Sequence, residues 1–157
     1  MTEENMSIVK RIAIVAHESG KNDLIDWSFH NREILKRHEI IAAGYTGDVL
    51  EGTLNVPVCK LLTGSLGGFE QLGDLITNGK VDLIIFLGFP KKTQPIDSDM
   101  KTLLRLAEEH NLVIASNMAT AEVILSSAYL GAAGFHSTID EELGEEKKVV
   151  KLKGLRG

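Results

Sequence analysis

Short apolar runs alternate with amphipathic segments along most of this sequence. The runs are apolar at nearly every position, which is typical of parallel strands that are buried on both faces of a sheet. Pro57 lacks an N–H donor, so its run suits the edge of the sheet. The runs that predict strands lie at residues 11–16, 39–44, 56–62, 81–87 and 112–116.

The segments between these runs carry apolar residues at helical spacing, with charged residues between them. Gly52 and Gly79 are suitable residues to end helices, and Asp97 is suitable as an N-cap. Strands that alternate with helices predict a parallel sheet covered on both faces, which is a three-layer α/β/α sandwich. The predicted helices lie at 21–37, 46–52, 69–78, 97–110 and 119–130.

Composition narrows the class of protein. A chain of 157 residues with 43% hydrophobic residues fits one globular domain. The net charge of −5 argues against a nucleic-acid partner, which would need a basic face, but it allows a small anionic ligand. No apolar run has the length of a transmembrane helix, so no membrane partner is predicted.

The cysteine and histidine content argues against disulfides and metal sites. Cys59 is the single cysteine, which predicts a reducing, cytoplasmic location and a small buried side chain within its strand. No pair of histidines has metal-ligand spacing, so neither a metal nor another cofactor is expected. We also expect Trp27 to lie in the core.

Three segments differ in character. Residues 1–10 form a polar extension without the apolar region of a signal peptide. Residues 11–134 form the domain. Residues 135–157 are charged, and their interpretation stays open between an edge strand, an arm onto a neighbouring subunit and a loose tail.

Ligands of open parallel sheets bind beyond the carboxyl ends of the strands. Lys21 offers a positive charge there, Thr46 and Thr63 offer hydroxyls, and Gly64 offers an exposed backbone N–H. Together they predict an anion site, although such residues also serve local turns. His17 ends the first strand on the same side, where a structural role and a ligand contact are equally open. No standard nucleotide-binding motif is present.

Six segments carry a pattern that is specific when they are taken together: Ile12–His17 with Lys21, Gly44–Gly47, Thr63–Gly68, Gly73–Phe86, Asp99–Leu106 and Ala115–Glu122. Over about residues 9–127 the chain resembles the methylglyoxal synthase family. The resemblance implies a five-stranded parallel sheet of order 3-2-1-4-5, a homo-oligomer that is usually a hexamer, and a dihydroxyacetone phosphate site at the carboxyl edge.

The resemblance also assigns roles to individual residues. It makes Lys21 the phosphate lysine, with Thr46, Thr63 and Gly64 as further phosphate donors. Asp99 matches an acid of the family's second catalytic loop. The residues expected to contact the substrate are His17, Gly67 and Gly68.

The sequence departs from the family's pattern at several of these roles. The catalytic base, an Asp in a Gly-Gly-Asp-Gln-Gln motif, aligns with Phe69, and the catalytic His aligns with Ile96. An Asp before the loop proline aligns with Phe89. Two threonines of the phosphate loop align with Ala43 and Tyr45.

Phe69 cannot accept a proton, and general-base catalysis is typically worth ~10²–10⁴ in rate. Loss of a charge-stabilising donor costs another ~10²–10³. One interpretation is a lyase with altered or weakened chemistry, in which Glu70 acts as the base or Asp99 or Asp97 serves instead. The alternative is a non-catalytic module that binds phosphate or a small phosphorylated metabolite, with Glu70 a solvated first-turn residue. A third is an oligomeric scaffold without a ligand. Arg156 is a candidate to reach a neighbouring subunit's site.

Overall fold

The computed structural model describes residues 9–17, 21–87 and 98–131. Five parallel strands form one sheet in the order β3-β2-β1-β4-β5, with helices on both faces, which confirms the predicted fold class and strand order. The strands are β1 (Arg11–Ala16), β2 (Glu39–Ala43), β3 (Cys59–Leu61), β4 (Leu83–Leu87) and β5 (Val113–Ala115).

The helices follow the strands in the alternation that the sequence predicts. Two 3₁₀ turns, Gly64–Leu66 and Ala128–Gly131, come before α4 and after α6. The α-helices are α1 (Lys21–His30), α2 (Arg32–Leu35), α3 (Gly44–Leu54), α4 (Gly68–Thr77), α5 (Ser98–Glu109) and α6 (Met118–Ser126). In the described ranges, no helix is both long enough and apolar enough to cross a lipid bilayer.

β1 lies at the centre of the sheet between β2 and β4. Ile14 is aligned with Ala42 on one side and with Ile85 on the other. Residues 12–15 of β1 and all of β4 are buried, as expected of strands that are apolar on both faces.

Each face of the sheet packs against its own set of helices. On the first face, α1, α2, α3 and α6 bury residues such as Trp27, which is 3% exposed and therefore lies in the core as predicted. On the second face, α4 and α5 bury Leu72 and Met100. The chain changes face between β3 and β4, so β1 and β4 flank the point where the winding reverses, and ligands commonly bind at such a point.

Some predicted helix ends were wrong. α3 begins at Gly44 and continues through Gly52, because Leu54 extends its buried stripe; Asn55, with φ of 56°, then ends it in the left-handed region. The predicted first helix is divided at Asn31 into α1 and α2. The buried Asn31 amide donates to the Trp27 carbonyl and to Glu122 on α6.

The predicted burial of Cys59 was also wrong. β3 has only three residues and pairs only with β2, so its outer side is uncovered and Cys59 is exposed. Gly79, with φ of 70°, follows α4 as predicted. The N-terminal extension, the C-terminal segment with Arg156, and Asp97 lie outside the described residues, so their predicted roles stay predictions.

Candidate ligand-binding site

A cavity of about 400 Å³ lies at the carboxyl end of β1. The ends of β1, β2 and β3 contribute to it, together with α1, α3, α4 and α5. Among the described residues that line it, none has a carboxyl group. These residues are Ile14, Val15, Ala16, His17, Lys21, Leu24, Ala43, Tyr45, Thr46, Thr63, Gly64, Phe69, Leu72 and Met100.

The polar part of the lining begins on the first face of the sheet. Lys21 opens α1, and its Nζ lies 4.7 Å from the centre of the Tyr45 ring. In the described part of the chain, no carboxylate forms an ion pair with Lys21. Thr46 lies in the first turn of α3, where no side chain caps the helix N-terminus. The positive end of α3 and the Lys21 ammonium therefore both favour an anion.

Gly44 brings the start of α3 against the end of β3. Its φ is 46°, and a Cβ at this position would lie 3.0 Å from Thr63 Cα and 2.9 Å from Thr63 Oγ1. A larger residue would be strained and would push the two segments apart. This close approach places Thr46 and Thr63 on the same cavity.

Phe69 supplies an aromatic surface to the same cavity. A Cβ added to Gly64 would lie 2.6 Å from Phe69 Cε2, so the ring packs directly on the Gly64 backbone. The residue that the resemblance aligns with the catalytic base therefore forms part of the cavity wall as an apolar ring.

The turn that carries Phe69 is fixed by two contacts. A Cβ on the buried Gly68 would lie 1.9 Å from the Leu62 carbonyl oxygen, so only glycine fits without a backbone shift. The Leu62 N–H donates to Gln71 Oε1 at 2.8 Å. Gln71 lies in the first turn of α4, so this bond joins the start of the helix to the end of β3.

A separate groove of about 360 Å³ lies between α4 and α5. Glu70 and Asp99 line it with Asp74, and they do not line the cavity. Phe69 borders both spaces. The ring therefore stands between the predicted acids and the predicted phosphate donors.

The structure thus brings together only some of the predicted site residues. Lys21, Thr46, Thr63, Gly64 and His17 line the cavity. Gly67 and Gly68 shape the adjoining turn without lining the cavity, and Glu70 and Asp99 face the groove. Phe89 and Ile96 lie outside the described residues. The roles of all these residues stay predictions.

Three contributions were missed by sequence reasoning. The sequence identifies Tyr45 as an apolar replacement for a threonine of the phosphate loop, but the contact of its ring with Lys21 was not predicted. Leu72 and Met100 reach the cavity from the second face, although their spacing marks them only as core residues. No local signal in the sequence distinguishes a core residue beneath a cavity from any other core residue.

Within the described ranges, no three His, Cys, Asp or Glu side chains are grouped so as to hold a metal ion. The polar groups on the cavity are an ammonium, hydroxyls, an imidazole and backbone amides. These groups can bind and orient an anion.

Comparisons with known proteins agree with this architecture. A family model described as MGS-like domain matches residues 23–116. Methylglyoxal synthase from Coxiella burnetii (strain Dugway 5J108-111) is 43% identical over 134 residues, which cover 85% of this chain and 94% of that protein. The chain belongs to the methylglyoxal synthase family.

Other members of the methylglyoxal synthase family show a similar degree of likeness. Methylglyoxal synthase from Photorhabdus laumondii is 39% identical over 127 residues, covering 81% of this chain and 84% of that protein. The crystal structure of methylglyoxal synthase from Elizabethkingia anophelis NUHP1 superposes with a TM-score of 0.72 at 40% identity. It covers 79% of this chain and 82% of that one.

Proposed function

We propose that this protein binds a small phosphorylated metabolite in the cavity and does not carry out the elimination reaction of its family at an appreciable rate. The observation that carries the proposal is the composition of the cavity wall: Lys21 and two threonines line it, and none of the described lining residues has a carboxyl group. Among the described residues, the cavity therefore has donors for a phosphate but no carboxylate beside them to act as the family's base.

The Lys21 ammonium contributes most to the free energy of the proposed phosphate binding. Hydrogen bonds that involve charged groups contribute about 1.5–3 kcal/mol each, which corresponds to about ten- to hundredfold in affinity. Thr46 and Thr63 add neutral donors, and the uncapped start of α3 adds backbone N–H groups. This set matches the tetrahedral oxygens of a phosphate monoester.

Thermal unfolding in the presence of inorganic phosphate or dihydroxyacetone phosphate tests the binding. Each compound is expected to raise the Tm of the wild-type protein in a concentration-dependent way, because it binds the folded state. Lys21→Ala should abolish the rise. Lys80→Ala, which removes an exposed lysine before β4, is the matched control and should keep it. A wild-type protein with no shift from either compound would contradict the proposal.

Family membership favours a second candidate, a lyase that converts dihydroxyacetone phosphate to methylglyoxal with a different base. Among the described residues, Glu70 and Asp99 are the candidate acids, and both line the groove that Phe69 borders. A step from position 69 to position 70 turns a helical side chain by about 100°. Glu70 would therefore need a rotation of α4 to reach the substrate.

An assay of methylglyoxal and free phosphate distinguishes the two candidates. We expect no turnover of dihydroxyacetone phosphate above the uncatalysed rate. Turnover that Glu70→Gln abolishes and Asp74→Asn leaves intact would establish the lyase, since Asp74 is an exposed acid of the same groove. Phe69→Asp is expected not to restore full activity, because the position of the family's catalytic His is Ile96. Full activity of that variant would contradict this account of Ile96.

We also propose a cytoplasmic homo-oligomer, which is a hexamer by the resemblance. Leu66 and Val123 are 73% and 67% exposed, and such apolar surface is available for contacts between subunits. Light scattering coupled to gel filtration gives the mass of the assembly. A monomer at micromolar concentration would contradict the oligomer.

A further inference from the structure

The cavity has two walls of opposite chemical character. Lys21 and Thr46, from helices on the first face of the sheet, form the donor wall. Phe69, Leu72 and Met100, from α4 and α5 on the second face, form the apolar wall. A ligand that fills the cavity therefore meets an anion site on one side and a hydrocarbon surface on the other.

Phe69 determines the shape of the apolar wall. Its ring packs against Gly64, where an added Cβ would approach Phe69 Cε2, Cζ and Cδ2 at 2.6, 2.9 and 3.0 Å. The ring is thus held against the backbone beside a predicted phosphate donor. Leu72, one turn further along α4, is 3% exposed and continues the same surface inward.

A second aromatic residue lies on the donor side. The Tyr45 ring lies 4.7 Å from Lys21 Nζ, and 54% of the residue is exposed. Its contact with the ammonium holds the charge at the cavity without neutralising it. The anion site therefore lies next to aromatic rings from two different helices, α3 and α4.

A short hydrophilic phosphate would form favourable contacts with the donor wall only. Three-carbon phosphates such as dihydroxyacetone phosphate carry hydroxyl and carbonyl groups. The side chains of Phe69, Leu72 and Met100 offer these groups no strong hydrogen-bond partner. Binding sites of 300–1,000 Å³ that combine an apolar lining with a few polar groups typically hold larger organic ligands. The cavity, at about 400 Å³, falls within that range.

We propose that the ligand is an organic phosphate with an apolar ring, of the aryl phosphate class, whose ring packs on Phe69 while its phosphate meets Lys21. This inference rests on the proposed function and adds the class of ligand. Phe69 is then the specificity-determining residue. At the usual free energy per unit of apolar area, a tenfold preference corresponds to about 55 Å² of ligand surface leaving water. That is about a third of the area that an aromatic side chain buries.

Isothermal titration calorimetry with four probes tests the inference on the wild-type protein. The probes are inorganic phosphate, dihydroxyacetone phosphate, phenyl phosphate and neutral phenol. Phenyl phosphate is expected to bind at least about tenfold more tightly than either other phosphate. Phenol should bind at least about tenfold more weakly than phenyl phosphate, because it lacks the anion.

Two phenylalanine variants locate the preference. Phe69→Ala should reduce the affinity for phenyl phosphate to that for inorganic phosphate. Phe29→Ala is the matched control, because Phe29 is 55% exposed on α1 and does not line the cavity, so it should keep the preference. A preference that survives in a folded Phe69→Ala protein would overturn the role of Phe69.

The wild-type comparison stands whether or not the variants fold. Equal affinity for the three phosphates would overturn the aryl phosphate inference and leave the proposed phosphate binding intact. Binding of phenol as tight as that of phenyl phosphate would overturn the inference too, because the anion would then contribute nothing. Failure of every phosphate probe to bind would refute the proposed function itself.

Discussion

The two ends of the sheet use their polar residues in opposite ways. At the amino end, the Asp82 carboxylate accepts hydrogen bonds from the Arg11 backbone at 2.8 Å and from Arg11 Nε at 3.2 Å. The Lys10 backbone N–H donates to His38 Nδ1 at 2.9 Å. The Tyr129 hydroxyl donates to the Asp82 carbonyl at 3.3 Å. These groups hold one another across β1, β2 and β4.

At the carboxyl end, polar groups surround a cavity. Lys21 touches an aromatic ring and forms no ion pair with any described carboxylate. Thr46 and Thr63 border the same space. The difference indicates that the amino end stabilises the fold, and it supports the proposal that the carboxyl end keeps donors available for a ligand.

The difference also affects ionisation. Burial alone would raise the pKa of Asp82, but the hydrogen bonds from the Arg11 side chain and backbone outweigh it and lower the pKa. Burial, with the negative charge of Asp82 nearby, raises the pKa of Tyr129 to about 12. Groups at the amino end therefore have ionisation states that are fixed by one another.

The largest expected effect on stability comes from the carboxyl end, at a glycine beside the cavity rather than at one of its polar groups. Gly68→Ala places a methyl group 1.9 Å from the Leu62 carbonyl oxygen, so the backbone must move, and we expect a loss of about 3 kcal/mol in the free energy of unfolding. Chemical denaturation measures it. Gly52→Ala is the control, because outside its own stretch of helix no atom lies within 4 Å of the added Cβ, and it should stabilise the protein by about 0.5–1 kcal/mol. Equal effects would contradict the tight turn.

Next in size is the loss of the amino-end carboxylate. Asp82→Ala removes the acceptor for the Arg11 backbone and side chain, and we expect a loss of about 2 kcal/mol. Asp48→Ala removes an exposed carboxylate that pairs with Lys60, and it should change stability by less than about 0.5 kcal/mol. A smaller effect at Asp82 than at Asp48 would remove the distinction between the two ends. Phosphate binding by the folded variants should be unchanged.

A smaller effect concerns pH. Burial and the charges of Lys10 and Arg37 lower the pKa of His38 from 6.5, so the folded protein disfavours the charged imidazole. The contribution of His38 to the free energy of unfolding is therefore fully present above pH 6.5. It is lost as the pH falls from 6.5 to the lower folded pKa, because in that interval the unfolded chain takes up a proton and the folded protein does not. In His38→Asn, the free energy of unfolding should depend less on pH across this interval, as measured by chemical denaturation between pH 5 and 7.5. His110→Asn, at an exposed position, should leave the curve unchanged.

The smallest expected effect is on the stability of the ligand-free protein after Lys21→Ala. Among the described residues, the variant loses only an exposed cation–π contact, which is worth about 0.5–1 kcal/mol. Denaturation without ligand is therefore expected to show a change of at most about 1 kcal/mol. A loss larger than that of Asp82→Ala would show that Lys21 supports the fold, and the contrast between the two ends would be wrong.

Much of the fold was predictable because strands that are apolar on both faces are typical of a parallel sheet covered by helices on both sides. The bounds of β1 were predicted correctly, since Arg11 and His17 are polar residues at either side of a run with no interruption. The end of α3 was not, because Gly52 is permissive and only the burial of Leu54 shows that the helix continues. The exposure of Cys59 was not predictable either. It follows from the position of β3 at the edge of the sheet, where the outer side of the strand is uncovered.

The site was predictable where it depends on strand ends and not where it depends on side-chain direction. Lys21, Thr46 and Thr63 follow strands or begin helices, so the topology alone gathers them. The separation of Glu70 from the cavity depends on the start and rotation of α4. The amino-end pair of Arg11 and Asp82 is 71 residues apart in sequence, and nothing local marks it.

The hydrogen bond between the Leu62 N–H and Gln71 Oε1 has an evolutionary consequence. It joins α4 to β3 one residue after Glu70, so any rotation that carried Glu70 to the cavity would break the bond and leave the end of β3 without its acceptor. Selection for proton transfer would therefore meet less resistance at position 69, where one replacement changes the cavity wall, than from turning the helix. The bond thus limits the single changes by which position 70, rather than position 69, could present a carboxylate to the cavity.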